Sequence, residues 1–287
     1  MKKILIAGKD SYVGTSFEKW VSQWPNDYKI DTLDTKGKWV DFSFQGYDVV
    51  YCVAGIAHVD AKKSMESLYY KVNRDLPIAL AKKAKSDGVG QFIFMSSLIV
   101  YGDSTPPGKI EYITKDTVPK PANFYGNSKL QAEQGIIALQ DDQFKVLVLR
   151  PPMIYGPGSK GNYPKLSKLA QTMPVFPKVN NKRSVLFIDN LTEFVRIAID
   201  EGQSGIAFPQ NKEYVSTSHL VRLIAKAHGK DIKIIPGLMP SIEFVASFNT
   251  MARKAFGSFV CDRALSGNQG KYCVKSLGRS IARTEYY

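Results

Sequence analysis

The stretch Lys3-Ile4-Leu5-Ile6-Ala7, closed by Gly8-Lys9-Asp10-Ser11-Tyr12-Val13-Gly14, constrains the fold more than any other part of the chain. The apolar run reads as a buried strand. The glycines after it permit a tight turn and leave a helix N-terminus facing outward, where unpaired N–H groups favour an anion. The alternation then repeats. Strands are expected over 28–34, 48–53, 91–95 and 144–149, and helices over 16–24, 64–86 and within 121–139. Strands that are apolar throughout and separated by helices predict an α/β protein of the Rossmann type. In that fold a doubly wound parallel sheet is covered on both faces and binds ligand at the strands' carboxyl ends.

The texture changes after Arg150, where Pro151, Pro152, Pro157, Pro164, Pro174 and Pro177 accumulate. Helices are expected over 189–199, 216–228, 240–256 and 275–283. This predicts a first domain of 1–155 plus roughly 184–206, and a smaller α/β domain of roughly 156–183 and 207–287.

Composition narrows the class. The 287 residues are 44% hydrophobic and 23% charged, which suits a folded globule rather than a disordered chain. The N-terminal apolar run is too short for a signal peptide, and no stretch approaches a spanning helix, so a cytoplasmic protein is expected. Cys52, Cys261 and Cys273 are read as reduced packing residues. With His58, His219 and His228 they show no metal-ligand spacing, so no metal is expected. The net charge of +13 is spread over Lys62-Lys63, Lys82-Lys83, Lys85 and 178–183 without a nucleic-acid motif. It fits a solvated basic surface, an anionic substrate, or an anionic membrane face.

Chemistry is carried by Tyr125-Gly126-Asn127-Ser128-Lys129, 28 residues after Ser97. Tyrosine and lysine four apart share a helix face. With a serine hydroxyl from a strand end, they can take a proton from an alcohol or sugar hydroxyl. Asp34 ends the second strand, placed to accept from both hydroxyls of a ribose, and Asp41-Phe42 is placed to grip an adenine. A carboxylate at Asp34 favours NAD over NADP, although Lys36 and Lys38 lie close by.

Taken in order, these motifs resemble the extended short-chain dehydrogenase/reductase family, in its NAD-dependent epimerase/dehydratase branch and UDP-glucose 4-epimerase-like group. The resemblance rests on Gly8 to Gly14, Val53-Ala54-Gly55, Asn73, Met95 to Gly102, Tyr125 to Lys129, and Arg150 to Gly158. It implies catalysis by Ser97, Tyr125 and Lys129. It implies NAD held by Gly8, Ser11, Tyr12, Val13, Gly14, Asp34, Asp41, Phe42, Val53, Ala54, Gly55, Asn73, Tyr125, Lys129 and Pro152. Substrate would be held by Ser97, Tyr125, Lys160, Asn162 and Arg183. The first domain would then bind NAD and the second a nucleotide sugar. The implied reaction is C4 epimerisation of a UDP-hexose or UDP-N-acetylhexosamine for surface polysaccharide synthesis.

Departures from the family pattern are Ser11 for the middle glycine, Cys52 for a histidine, and Met153 for an asparagine that often meets substrate. The link from Asp34 to Asp41 is also too short for a crossover helix. That trimming is shared by 4-ketosugar reductases, which remain an alternative, whereas Leu98-Ile99 after Ser97 offers no carboxylates for dehydration. The apolar 232–259 stretch, with Ile242, Phe244, Val245, Phe248 and Met251, reads either as a buried helix or as a membrane-facing surface. The second reading would suit an undecaprenyl-diphosphate-linked sugar. A non-enzymatic NAD sensor is disfavoured because Tyr125 and Lys129 are both present. By analogy the protein is expected to be a homodimer through helices near 64–86 and 125–139.

Overall fold

The computed structural model describes residues 1–56 and 63–286. His58 and Lys62 therefore lie outside the described residues. The chain divides into two compact units. The first is Met1–Gly102, Pro119–Pro151 and Thr192–Phe208, and the second is Asp103–Val118, Pro152–Leu191 and Pro209–Tyr287. The boundaries differ from the sequence reading at 103–118, 152–155 and 184–191, which all belong to the second unit. Residues 153–155 and 185–187 go together because Met153–Tyr155 pairs with Val185–Phe187 in a small parallel sheet.

In the first unit six strands form one parallel sheet. Across the sheet they run Gly205–Ala207, Lys145–Leu149, Gln91–Met95, Val49–Cys52, Lys2–Ala7 and Tyr28–Leu33. The first strand therefore has the second on one side and the third on the other. That reversal of winding opens a crevice at the carboxyl ends of Lys2–Ala7 and Val49–Cys52. One face of the sheet buries Leu5, Val50, Phe92, Phe94, Val146 and Val148 against Leu80, Ala81, Ala84, Ala132 and Ile136. The latter come from the helices Leu76–Ser86 and Phe124–Ile137.

Several elements depart from the spacing. The helix expected over 16–24 begins earlier, at Tyr12, because Ser11 caps it: the Ser11 hydroxyl accepts from the Gly14 N–H at 3.1 Å. The link from Leu33 to Val49 holds only the short turn Trp39–Asp41, so no strand forms near Val40. The helix expected over 64–86 is composite. It runs from Glu66 to Tyr70, widens into a π turn over Lys71–Asp75, and resumes over Leu76–Ser86. The helix expected over 240–256 breaks at Asn249 into Met239–Phe248 and Thr250–Phe256, the second capped by the Asn249 side chain. Of its two readings, buried helix or exposed surface, the burial is mixed: Ile242 and Ala246 are buried, whereas Phe244 and Phe248 are exposed.

Phe92 is fully buried in the middle of the sheet and packs against Phe144. Phe92→Ala is expected to cost about 3–5 kcal/mol of stability in urea denaturation.

Candidate active site

The glycine loop is shaped for close approach. Gly8 has φ +129°, and a Cβ there would stand 2.8 Å from the Ala54 nitrogen. Both Val53 and Ala54 donate their N–H groups to the Ala7 carbonyl, which draws the two strand ends together. A Cβ on Gly14 would meet the Ser11 Oγ at 2.6 Å and the Ile6 Cγ2 at 2.9 Å, so this glycine seats the helix on the first strand. Asp34 is exposed just beyond the second strand, and its carboxylate accepts from the Lys36 N–H at 2.9 Å. Asp41 and Phe42 are exposed on the short turn and its cap, with the Phe42 ring 6.3 Å from that of Tyr47.

The π turn explains Asn73. The wider helix lets this buried amide reach the loop after the third strand, where it accepts from the Ile56 N–H at 2.8 Å and donates to the Ile56 carbonyl at 3.0 Å. Gly55 is thereby held in a gap. A Cβ there would lie 3.0 Å from the Asn73 Oδ1 and 3.1 Å from the Lys129 Nζ. Gly8, Gly14 and Gly55 thus line a crevice that side chains would close. Such a cradle fits the pyrophosphate and ribose of a dinucleotide. Ser11 fits too, since it caps the helix from its side chain rather than filling the turn.

Ser97 follows the fourth strand and begins the turn Leu98–Tyr101. Tyr125 enters from the helix Phe124–Ile137, capped by Asn123. Gly126 allows their approach, because a Cβ at this position would stand 2.8 Å from the Ile99 carbonyl oxygen. The Ser97 hydroxyl lies beside the Tyr125 phenol. Burial, with the neighbouring Tyr69, pushes the Tyr125 phenol up to about 12, against a smaller lowering by Ser97.

Lys129 lies one turn further on, 5% exposed, and its ammonium donates to the Met95 carbonyl at 2.8 Å. Burial pulls it down to about 8, opposed by Cys52 and Glu133. The Lys129 ammonium, turned to the Met95 carbonyl, does not lower the Tyr125 phenol.

Sequence reasoning missed Glu133. It continues the row Tyr125, Lys129, Glu133 along one helix face. The Glu133 carboxylate is 1% exposed, accepts from the Ser96 hydroxyl, and accepts from the Arg150 Nε at 3.1 Å and 3.2 Å. Arg150 also donates to the Tyr101 hydroxyl at 2.6 Å. These links brace the serine turn, the catalytic helix and the end of Lys145–Leu149. The missed signal was a third polar residue at the same four-residue interval.

Of the residues expected to hold substrate, Ser97 and Tyr125 lie in the first unit, and Lys160, Asn162 and Arg183 lie in the second, where Pro152 also falls. Pro152 is buried, while Lys160 and Asn162 are exposed at the start of the helix Asn162–Thr172. Arg183 is half-buried, and its guanidinium donates to the carbonyls of Lys254 at 2.7 Å and Gly257 at 3.0 Å. Burial lowers its pKa to about 10. Among the described residues, no contact joins Arg183 to Lys160 or Asn162.

A doubly wound sheet whose crevice is lined by glycines, with Ser97, Tyr125 and Lys129 gathered at adjacent strand ends, defines a dinucleotide-dependent dehydrogenase-like class. Residues 8–215 match the NAD dependent epimerase/dehydratase family, and the chain belongs to it. The chain is 36% identical over 196 residues to a UDP-glucose 4-epimerase of Vibrio cholerae, covering 66% of this chain and 59% of that protein. It is 29% identical over 225 residues to the N-acetyl-alpha-D-glucosaminyl-diphospho-ditrans,octacis-undecaprenol 4-epimerase of Escherichia coli O157:H7, covering 70% and 64%. The chain thus spans about three fifths of the length of these curated relatives. Among solved structures it is similar to a dTDP-4-dehydrorhamnose reductase of Clostridium acetobutylicum, with a TM-score of 0.76 at 20% identity and 98% coverage of each chain. It is also similar to a UDP-glucuronic acid 4-epimerase of Bacillus cereus in complex with NAD. There the TM-score is 0.73 at 17% identity, with 99% of this chain and 98% of that one covered. At these identities the structural likeness speaks for the fold.

Removing Glu133 would leave Arg150 buried without its counter-charge. Glu133→Leu is expected to lose about 3–5 kcal/mol of stability, measured by denaturant titration.

The lowered Lys129 pKa makes a second prediction. An unfolded lysine stays protonated to about 10.5, whereas the folded one releases its proton near 8. Between these values the unfolded state binds more protons, so this residue's contribution to stability rises with pH. The unfolding free energy of the wild type relative to Lys129→Met is therefore expected to increase from pH 8 to pH 10. A constant difference would contradict the burial argument.

Proposed function

We propose that this chain is an NAD-dependent 4-epimerase of a diphosphate-linked sugar, a UDP-hexose or UDP-N-acetylhexosamine, serving surface polysaccharide synthesis. One observation carries the reading: Ser97 and Tyr125, brought close by Gly126, stand one helical turn from buried Lys129, at the strand ends that also form the glycine crevice. Residues Gly8 to Gly14, Asp34, Val53 to Gly55 and Asn73 would hold the cofactor. Bound NAD supplies a hydride acceptor that can return what it takes.

The protein's share is proton transfer and positioning. Ser97 donates to or accepts from the reacting sugar oxygen and passes its proton to Tyr125. A phenol near 12 is protonated at neutral pH, so Tyr125 needs added positive charge to act as a base. Bringing it to about 7 takes roughly 7 kcal/mol of selective phenolate stabilisation. The Lys129 ammonium, one helical turn away, would supply part of it by turning from the Met95 carbonyl towards the phenol. The 4-hydroxyl thus becomes a carbonyl, the 4-keto sugar turns over, and Tyr125 returns the proton as the other face is reduced. Leu98 and Ile99 beside Ser97 carry no acid or base for C5 and C6, which supports epimerisation over dehydration.

A second reading, a 4-ketosugar reductase, is favoured by the short link between Leu33 and Val49. Stoichiometric consumption of NAD(P)H would select it. The carrier need not be a nucleotide, because the Escherichia coli relative is named for a diphospho-undecaprenol sugar.

Tyr125→Phe is expected to lower 4-epimerisation by roughly 10²–10⁴-fold while NAD binding is retained. Assays with UDP-glucose, UDP-galactose and their N-acetyl counterparts would measure it. An unchanged rate would reject Tyr125 as the base.

A further inference from the structure

The charge of the chain is unevenly divided. The second unit carries 20 lysines and arginines against 9 aspartates and glutamates, and the first carries 19 against 17. Nearly all of the +13 excess therefore belongs to the second unit. Within it, a cavity of about 340 Å³ is lined by Lys178, Asn180, Ser216, His219, Arg222 and Ile234. Lys178 follows the strand Val175–Pro177, and Ile234 lies on its parallel partner Lys233–Ile235. Among the described residues, neither Lys178 nor Arg222 has an ion-pair partner.

The strand Lys233–Ile235 leads directly to the helix Met239–Phe248. That helix seats Ile242 and Ala246 but leaves Phe244 70% and Phe248 67% exposed. The two rings stand edge to face, 5.2 Å apart. Val245, Leu238 and Ile235 are exposed apolar residues of the same helix and the segment leading to it. Adjacent exposed phenylalanines on a strongly basic unit make a pattern of membrane-surface segments, apolar residues for the acyl boundary and basic ones for the headgroups.

We propose that this face of the second unit docks on an anionic phospholipid bilayer. Phe244 and Phe248 enter the boundary between headgroups and acyl chains, and the unit's excess of basic side chains, Lys178 and Arg222 among those without an ion-pair partner, draws it to anionic headgroups. Charge selects the occupant. A second copy of this unit would bring two strongly basic surfaces together, whereas a bilayer rich in phosphatidylglycerol offers the opposite sign. The proposal goes beyond the epimerase reading and does not depend on the sugar.

The test uses the full chain with sedimentable vesicles of phosphatidylcholine, with and without phosphatidylglycerol at about one third of the lipid. The wild type is expected to co-sediment with the anionic vesicles only, and less so as salt rises. Lys178→Ala with Arg222→Ala should lower the partition coefficient about five-fold per charge. Phe244→Ser with Phe248→Ser should lower it by at least roughly ten-fold. Circular dichroism and thermal midpoints serve to confirm that both double variants remain folded. Failure of the wild type to bind anionic vesicles overturns the proposal, as does undiminished binding by the folded phenylalanine variant. If light scattering shows that the phenylalanine changes split a dimer while vesicles remain unbound, the face belongs to a second copy, and the proposal is again overturned.

Discussion

The buried ion pair between Glu133 and Arg150 is the contact on which the catalytic arrangement depends. It joins the helix bearing Tyr125 and Lys129 to the end of the strand Lys145–Leu149, and through Ser96 to the turn bearing Ser97. Desolvating two charges is costly, and replacing such a pair with apolar residues is often neutral for stability. The geometry here gives the pair another use. Three elements from separate parts of the chain are tied by directional hydrogen bonds, so the serine and tyrosine hydroxyls meet at the same strand ends.

Small residues complete that arrangement. Gly126 lets the helix start approach the Ile99 carbonyl, and Gly55 fits between Asn73 and Lys129. Asn73 reaches its loop because the helix widens into a π turn around it. The lysine rests on the Met95 carbonyl, and the tyrosine lies beside Ser97. Burial holds both side chains towards their neutral forms.

Much of the first unit was legible in the sequence because the runs 4–7, 49–52, 92–95 and 146–149 are apolar throughout and separated by helical stretches. The order of motifs likewise pointed to the family before any contact was known. Less legible were features that depend on distant partners. Glu133 and Arg150 are 17 residues apart and look like ordinary surface charges until the sheet joins them. The π turn has no spacing of its own, and the break at Asn249 depends on a side-chain cap inside an apolar run. Arg183, implied by the resemblance to hold substrate, also donates to the Lys254 and Gly257 carbonyls, contacts with distant residues that no spacing shows.

The central claim is that Tyr125 moves only the hydroxyl proton while the hydrogen on C4 leaves and returns without meeting water. Running the reaction to equilibrium in deuterium oxide, with UDP-glucose and UDP-N-acetylglucosamine, tests this directly by mass spectrometry and proton magnetic resonance of the sugar. The account predicts inverted C4 with no carbon-bound deuterium and no net NADH. Deuterium at C4 of the epimerised product would contradict it.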